Sequence, residues 1–233
     1  LLGKRARKKK QKKKYLFVSV LLVILAAAVF LFVFAGTFFS GNLETSDVQI
    51  AFLNVGQGSC IVVRDGETTV VYDCGGTVSP AGTAETWLRK KGVDEIDYLV
   101  VSHLHDDHAN GVASLCGKYP VGTICFPAAE GEAEIESEIR LAAMKYDIPI
   151  LSLSEDFEFS SERLSFHLLT AHIDPASEDQ NENCVVLKLD YLDFTALFTG
   201  DIPSAAEKRL LDSYGAFPVD VLAVPHHGSP FSS

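Results

Sequence analysis

Ser102-His103-Leu104-His105-Asp106-Asp107-His108 follows directly on the apolar run Tyr98-Leu-Val-Val101. Such a run reads as a buried strand, and the loop after it is delivered to one end of a sheet. Four ligand-type side chains, His103, His105, Asp107 and His108, fall within six positions. Imidazoles and a carboxylate crowded into one loop would repel or stay poorly solvated unless a cation sat among them. Alternation lets His103 and His105 point together, and the next turn carries Asp107 and His108 around a second point. One loop can therefore seed two adjacent metal sites. A solvated loop that is merely rich in histidine is the competing explanation. Two downstream segments weigh against it: Leu197-Phe-Thr-Gly-Asp201 is an apolar strand ending in Gly-Asp, and Val221-Leu-Ala-Val-Pro-His226-His227-Gly-Ser229 is another ending in paired histidines. Both place polar residues at strand ends, where α/β sheets gather ligands.

Taken together, these segments resemble the metallo-β-lactamase superfamily, whose HxHxDH signature matches His103-Leu-His105-Asp-Asp107-His108. Within it the chain is most similar to the hydrolase domain of ComEC-type competence (DNA-internalisation) proteins. Phe52-Leu-Asn-Val-Gly-Gln-Gly58, Tyr72-Asp-Cys-Gly-Gly76, Leu197-Phe-Thr-Gly-Asp-Ile202 and Val224-Pro-His-His-Gly-Ser229 carry that similarity. The resemblance implies an αββα sandwich with a dinuclear site at one edge. It implies that His103 and His105 bind a first metal and that Asp107 and His108 bind a second. Asp201 would bridge them, His226 or His227 would complete the second site, and Asp73 would brace the loop. His172, in Thr170-Ala-His-Ile-Asp-Pro175, is a further candidate for the first metal, with His167 in the strand before it. One departure stands out, since the subgroup usually has Asp after Gly-Gln-Gly and this chain has Ser59.

Outside that region the N-terminus has its own character. Residues 4–14 hold nine Lys/Arg and no acid, and residues 15–35 hold no charge. About 20 apolar residues at 1.5 Å rise span roughly 30 Å of hydrocarbon. The expected organisation is a basic cytoplasmic tail over 1–14, a transmembrane helix over 15–39, a linker over 40–47 and the hydrolase domain over 48–233. A cleaved signal peptide is the alternative, but Ala26-Ala-Ala28 lie in the middle of the run rather than after it. Basic residues stay cytoplasmic, which predicts a single-pass protein of the cell membrane with its catalytic domain outside. A nucleic-acid-binding arm is the rival reading of the basic run. The chain lacks an initial Met and stops four residues after His-His-Gly-Ser, where the resembling family continues with another strand. It therefore reads as truncated at both ends, with an incomplete hydrolase domain.

The whole chain has a net charge of −11, and with +9 in its first 40 residues the remainder carries −20. Such a domain repels polyanions within a Debye length of about 8 Å, which counts against tight, processive DNA binding. Phosphodiester chemistry survives this objection, because divalent ions would dominate the local field. Five cysteines make an odd set without a CxxC pattern, so a structural zinc knuckle is not expected. A Cys116–Cys125 link is conceivable, but burial as small hydrophobes is the expectation.

Strands are expected at Val48–Asn54, Cys60–Arg64, Thr68–Tyr72, Tyr98–Val101, Ile148–Leu153, Leu164–Leu169, Cys184–Leu189, Phe194–Phe198 and Asp220–Val224. Asp65-Gly66 marks a hairpin turn. Helices are expected at Thr83–Lys91, stopped by Gly92, and at Ala109–Leu115, Glu132–Tyr146 and Pro203–Tyr214. Gly56-Gln-Gly58 fits a phosphate cradle and a tight turn about equally.

The function expected from these residues is metal-assisted hydrolysis by a binuclear centre of two divalent ions, Zn or Mn before Fe. Asp107 and Asp201 are the catalytic candidates, with Asp106 or Asp107 available to move a proton. The resemblance implies a phosphodiester substrate, single-stranded DNA or another nucleotide-like ester. The alternatives are a degenerate metal-binding partner of a DNA-uptake or cell-surface assembly, suggested by Ser59, and a β-lactamase.

Overall fold

Ile61-Val-Val63, Val70-Val-Tyr72 and Leu99-Val-Val101 are apolar at every position, which suits a strand only if both faces of its sheet are covered. The computed structural model describes residues 48–128, 134–174, 177–230 and 232, and it covers both faces. Strands β1 (Gln49–Phe52), β2 (Ile61–Asp65), β3 (Thr68–Tyr72), β4 (Ile96–Val100), β5 (Val121–Pro127) and β6 (Ile150–Leu153) form one sheet in that spatial order. The first three are antiparallel neighbours, and β3 to β6 run parallel. A second sheet has the order β11 (Val221–Ala223), β10 (Phe194–Phe198), β9 (Val186–Tyr191), β8 (Ser165–Leu169), β7 (Phe157–Ser160). In it only the pair β10–β11 is parallel.

Alternation along each strand sorts the core into three layers. Val63, Val70, Tyr72 and Val100 meet Phe166, Leu168, Leu187 and Phe198 between the sheets. On the outer face of the first sheet, Val62, Val71, Leu99 and Ile124 pack with Leu88, Leu115 and Ile139. These last three lie on helices α1 (Pro80–Lys90), α3 (Val112–Cys116) and α4 (Glu134–Tyr146), while α2 (Asp106–Ala109) is a single turn. Outside the second sheet, Val186 and Leu197 pack with Ala206 and Leu210 of α5 (Ser204–Tyr214). The layers are thus helix, sheet, sheet, helix, as expected. Each fully buried Val, Leu or Ile contributes roughly 1.5–3 kcal/mol.

The expected elements are present with shifted ends, and two strands are new. Central β5 is masked in the sequence because Gly122 and Thr123 interrupt its apolar run; a Cβ on Gly122 would lie 2.8 Å from the Asp97 carbonyl of the neighbouring strand. Strand β7 is a four-residue edge whose Glu158 dilutes the pattern. Helix α1 starts at Pro80, three residues before the expected Thr83, because Pro at the first helical position is pre-set in φ. The expected tail, transmembrane helix and linker, residues 1–47, lie outside the described residues. Among the described residues no helix is long and apolar enough to cross a membrane. All five cysteines are free and buried, so the conceivable Cys116–Cys125 link is not made.

Candidate metal centre

Parallel strands end on the same rim, so the loops after β3 and β4 meet. Asp73, the first residue beyond β3, is fully buried and has φ +61°. Its backbone N–H donates to Val100 O at 2.8 Å, which ties the two strand ends together. Asp73 Oδ1 accepts from the Ser102 N–H at 2.8 Å, and Oδ2 accepts from Ser102 Oγ at 3.1 Å and from His108 Nδ1 at 2.7 Å. His108 must carry its proton on Nδ1, which turns Nε2 into the loop. Ser102 Oγ also lies 3.0 Å from His103 Nδ1, and a hydroxyl that has given its proton to Asp73 would accept there, leaving His103 Nε2 with its lone pair. A carboxylate behind a histidine ring in this way fixes the tautomer a metal ligand needs.

The glycines around this loop are steric requirements. A Cβ on Gly75 would lie 2.3 Å from His108 N, and one on Gly58 (φ +147°) would lie 2.4 Å from Gly76 Cα. The Ser59 N–H donates to Asp107 O at 2.8 Å. Gly56-Gln-Gly58 is therefore a tight turn packed against the loop's backbone, the simpler of its two readings.

The second sheet supplies its residues from β10 and β11, the parallel pair. Gly200 (φ +57°) turns the chain after β10, where a Cβ would meet Ser102 Cβ at 2.9 Å, and Asp201 follows, buried. After β11, His226 and His227 both hold left-handed backbone, at φ +51° and +52°. Two consecutive left-handed residues splay their side chains apart. His227 Nε2 lies 3.3 Å from Asp107 Oδ2, 3.3 Å from His108 Nε2 and 3.7 Å from Asp201 Oδ2. His226 N–H donates to Gly200 O at 3.2 Å, and its Nδ1 is buried without a hydrogen-bond partner.

One ligand atom each from Asp107, His108, Asp201 and His227 lies within 4.8 Å of the others. Beside them His103 Nε2 and His105 Nδ1 face each other at 3.0 Å. Ring nitrogens that face each other, and a buried orphan Nδ1 at His226, are the signature of a place built for positive charge. The electrostatics agree. Burial opposes charge on His108, yet the Asp73 and Asp201 carboxylates outweigh it and push its pKa up to about 10. Burial raises Asp201, but His108, 3.1 Å away, pulls it down to about 2, so it is an anion at any ordinary pH. Burial, then His108, hold His103 well below the usual imidazole range, and it stays neutral with Nε2 free.

Of the residues singled out in the sequence, His103, His105, Asp107, His108, Asp201, His226 and His227 come to this rim, and Asp73 lies behind it. His227, rather than His226, joins the group containing Asp107 and His108. His172 is elsewhere: it is fully buried at the end of β8, with Nε2 2.9 Å from Cys184 O and Nδ1 unpartnered. His167 pairs with Glu158 and Asp190 on the sheet surface. Ser102, which no motif singled out, is fully buried between Asp73 and two imidazoles and orients ligands. Its one visible signal was adjacency to His103.

The family model described as the metallo-β-lactamase superfamily matches residues 53–233. ComE operon protein 3 of Bacillus subtilis is 24% identical over 209 residues, covering 81% of this chain and 26% of that protein. Recombination protein 2 of Haemophilus influenzae is 27% identical over 190 residues, covering 79% and 22%. Competence protein ComA of Neisseria gonorrhoeae is 30% identical over 195 residues, covering 81% and 25%. The chain spans about a quarter of the length of these relatives. Among solved structures, the metallo-β-lactamase fold protein YhfI from Bacillus subtilis aligns with TM-score 0.47 and 17% identity over 67% of this chain and 63% of that one.

Proposed function

The chain belongs to the metallo-β-lactamase superfamily, and from that premise we propose that it is a metal-dependent phosphodiester hydrolase. The observation that carries the reading is the convergence of Asp107, His108, Asp201 and His227 beside the His103–His105 pair, with Asp73 holding the His108 ring. His103 and His105, with the neighbouring His226, would hold one divalent ion, and Asp107, His108 and His227 the other, with Asp201 between them. The nitrogen and oxygen donors suit Zn or Mn. Two such ions would polarise a phosphoryl oxygen and acidify water at neutral pH.

The chain's own residues divide the remaining work. Asp201 stays anionic and so acts as a fixed negative charge rather than a proton carrier. Asp107 is partly exposed at the rim, 3.3 Å from His227 Nε2, on the side from which a substrate would reach the centre. The names of the relatives, competence and recombination proteins, support a nucleic-acid-type phosphodiester. The basic tail and apolar run at the N-terminus support a membrane anchor with the hydrolase domain outside the cell.

The test uses the full chain. Metal analysis should return about two divalent ions per chain, with turnover of bis-p-nitrophenyl phosphate and none of nitrocefin. His105→Ala should bind fewer ions and lose turnover; full turnover by that variant in the presence of metal would remove the assignment. A metal-free wild type would support instead the degenerate centre that Ser59 suggests. Hydrolysis of nitrocefin alone would make the protein a β-lactamase.

A further inference from the structure

An open groove of about 500 Å³ begins at His108, Asp201 and His227 and runs away from the metal centre between the edge strands β1 and β11. Its lining includes Phe52 at the end of β1 and Leu222 and Val224 at the end of β11, which are 55%, 48% and 58% exposed. Large apolar side chains so open beside a cluster of charged ligands have a use when a ligand is half ionic and half apolar. Phe52 lies edge-on to Phe198, with centroids 6.0 Å apart at 90°. Phe198 is itself buried and leans on Tyr72, 5.8 Å away.

Among the described residues that line the groove there is no Lys or Arg. Proteins that hold a long polyanion line its path with such cations, because each neutralised phosphate releases counterions. Here the domain is acidic, and positive charge would be confined to the ions at one end. Binding strength along the groove must then come from apolar and stacking contact. A volume of this size lies within the roughly 300–1,000 Å³ of pockets that take one small-molecule-sized group.

Resting on the phosphodiesterase reading, we propose that this groove is a nucleobase subsite in which Phe52 stacks one base of the substrate against Leu222 and Val224. The substrate class is accordingly a short or single-stranded nucleotide ester with an unpaired base, recognised without regard to which base, since every base offers a π-face. A duplex, with its bases stacked on one another, cannot enter.

Two esters with the same leaving group separate this subsite from the chemistry: the p-nitrophenyl ester of thymidine 5′-monophosphate and methyl p-nitrophenyl phosphate. With the Mn-loaded full chain, kcat/KM for the thymidine ester should exceed that for the methyl ester by roughly 5- to 100-fold, carried mainly by KM. Phe52→Ala should erase that advantage and leave the methyl ester unchanged, while Phe52→Trp should retain it. Equal kcat/KM for the two esters in the wild type, or equal loss on both in Phe52→Ala, would overturn the subsite. Calorimetric titration with thymidine 5′-monophosphate reads the subsite without turnover. Phe52-dependent binding with neither ester hydrolysed would sink the phosphodiesterase reading and keep the subsite. Binding that Phe52→Ala leaves untouched would sink the subsite.

Discussion

The six-stranded sheet and the five-stranded sheet both feed the metal centre, but they position their residues by different means. The first sheet works through side chains: the buried Asp73 carboxylate accepts three hydrogen bonds, and through Ser102 and His108 it orients the whole His103–His108 loop. The second sheet works through backbone: Gly200, His226 and His227 all take left-handed conformations where β10 and β11 end. Hydrogen-bonded bracing favours the folded state together with the site, because the same bonds satisfy buried groups. Left-handed non-glycine residues cost on the order of 1–3 kcal/mol each, so they favour the site at the expense of the fold. Asp73 carries the same left-handed cost, at φ +61°, but offsets it with three buried hydrogen bonds, so on balance the first half of the centre should stabilise the fold and the second half should burden it.

Removing the brace tests this most severely. Asp73→Ala leaves the buried Ser102 N–H and the His108 ring without their acceptor and should destabilise the domain by about 3–5 kcal/mol. Urea denaturation of the metal-free protein measures it, and a loss below 1 kcal/mol would mean that the hydrogen-bonded half is not the stabilising one. Acid provides the second test, and it concerns the second sheet. Burial lowers His172 to about 4 from an ordinary 6.5, so the unfolded chain takes up a proton there before the folded one does. Stability should be fully present above pH 6.5 and fall by about 3 kcal/mol as pH drops toward 4. His172→Gln should lack that component; identical pH dependence in the variant would show that His172 is not held neutral. The smallest effect has the opposite sign. His227→Gly should stabilise the fold by about 0.5–1 kcal/mol, because glycine accepts positive φ without strain, while divalent-ion affinity measured by calorimetry falls. A destabilised variant would show that the turn is held by contacts rather than strained.

Much of this was legible in the chain. The apolar run Tyr98–Val101 reads as a buried strand, and Gly92 and Asp65-Gly66 mark a helix end and a hairpin where they occur. Strands β5 and β7 were not read, since a glycine tolerated for a neighbour's carbonyl and a half-exposed edge both blur a period of two. Within the site, the loop from His103 to His108 was readable because a strand end and a short turn bring sequence neighbours together. His172 was misleading for the same reason that residue type alone misleads. An imidazole buried against Cys184 O and one facing a cation differ in surroundings, not in sequence.

The sequence alone determined the ligand types, their order along the chain and the strands that end in them, because hydrophobic period and local spacing are written in consecutive residues. Tertiary structure decided which imidazoles share a point: His227 meets Asp107 and His108, and His226 turns aside. That outcome depends on two left-handed torsions and on packing two sheets face to face. No local pattern encodes the meeting of residues more than a hundred positions apart.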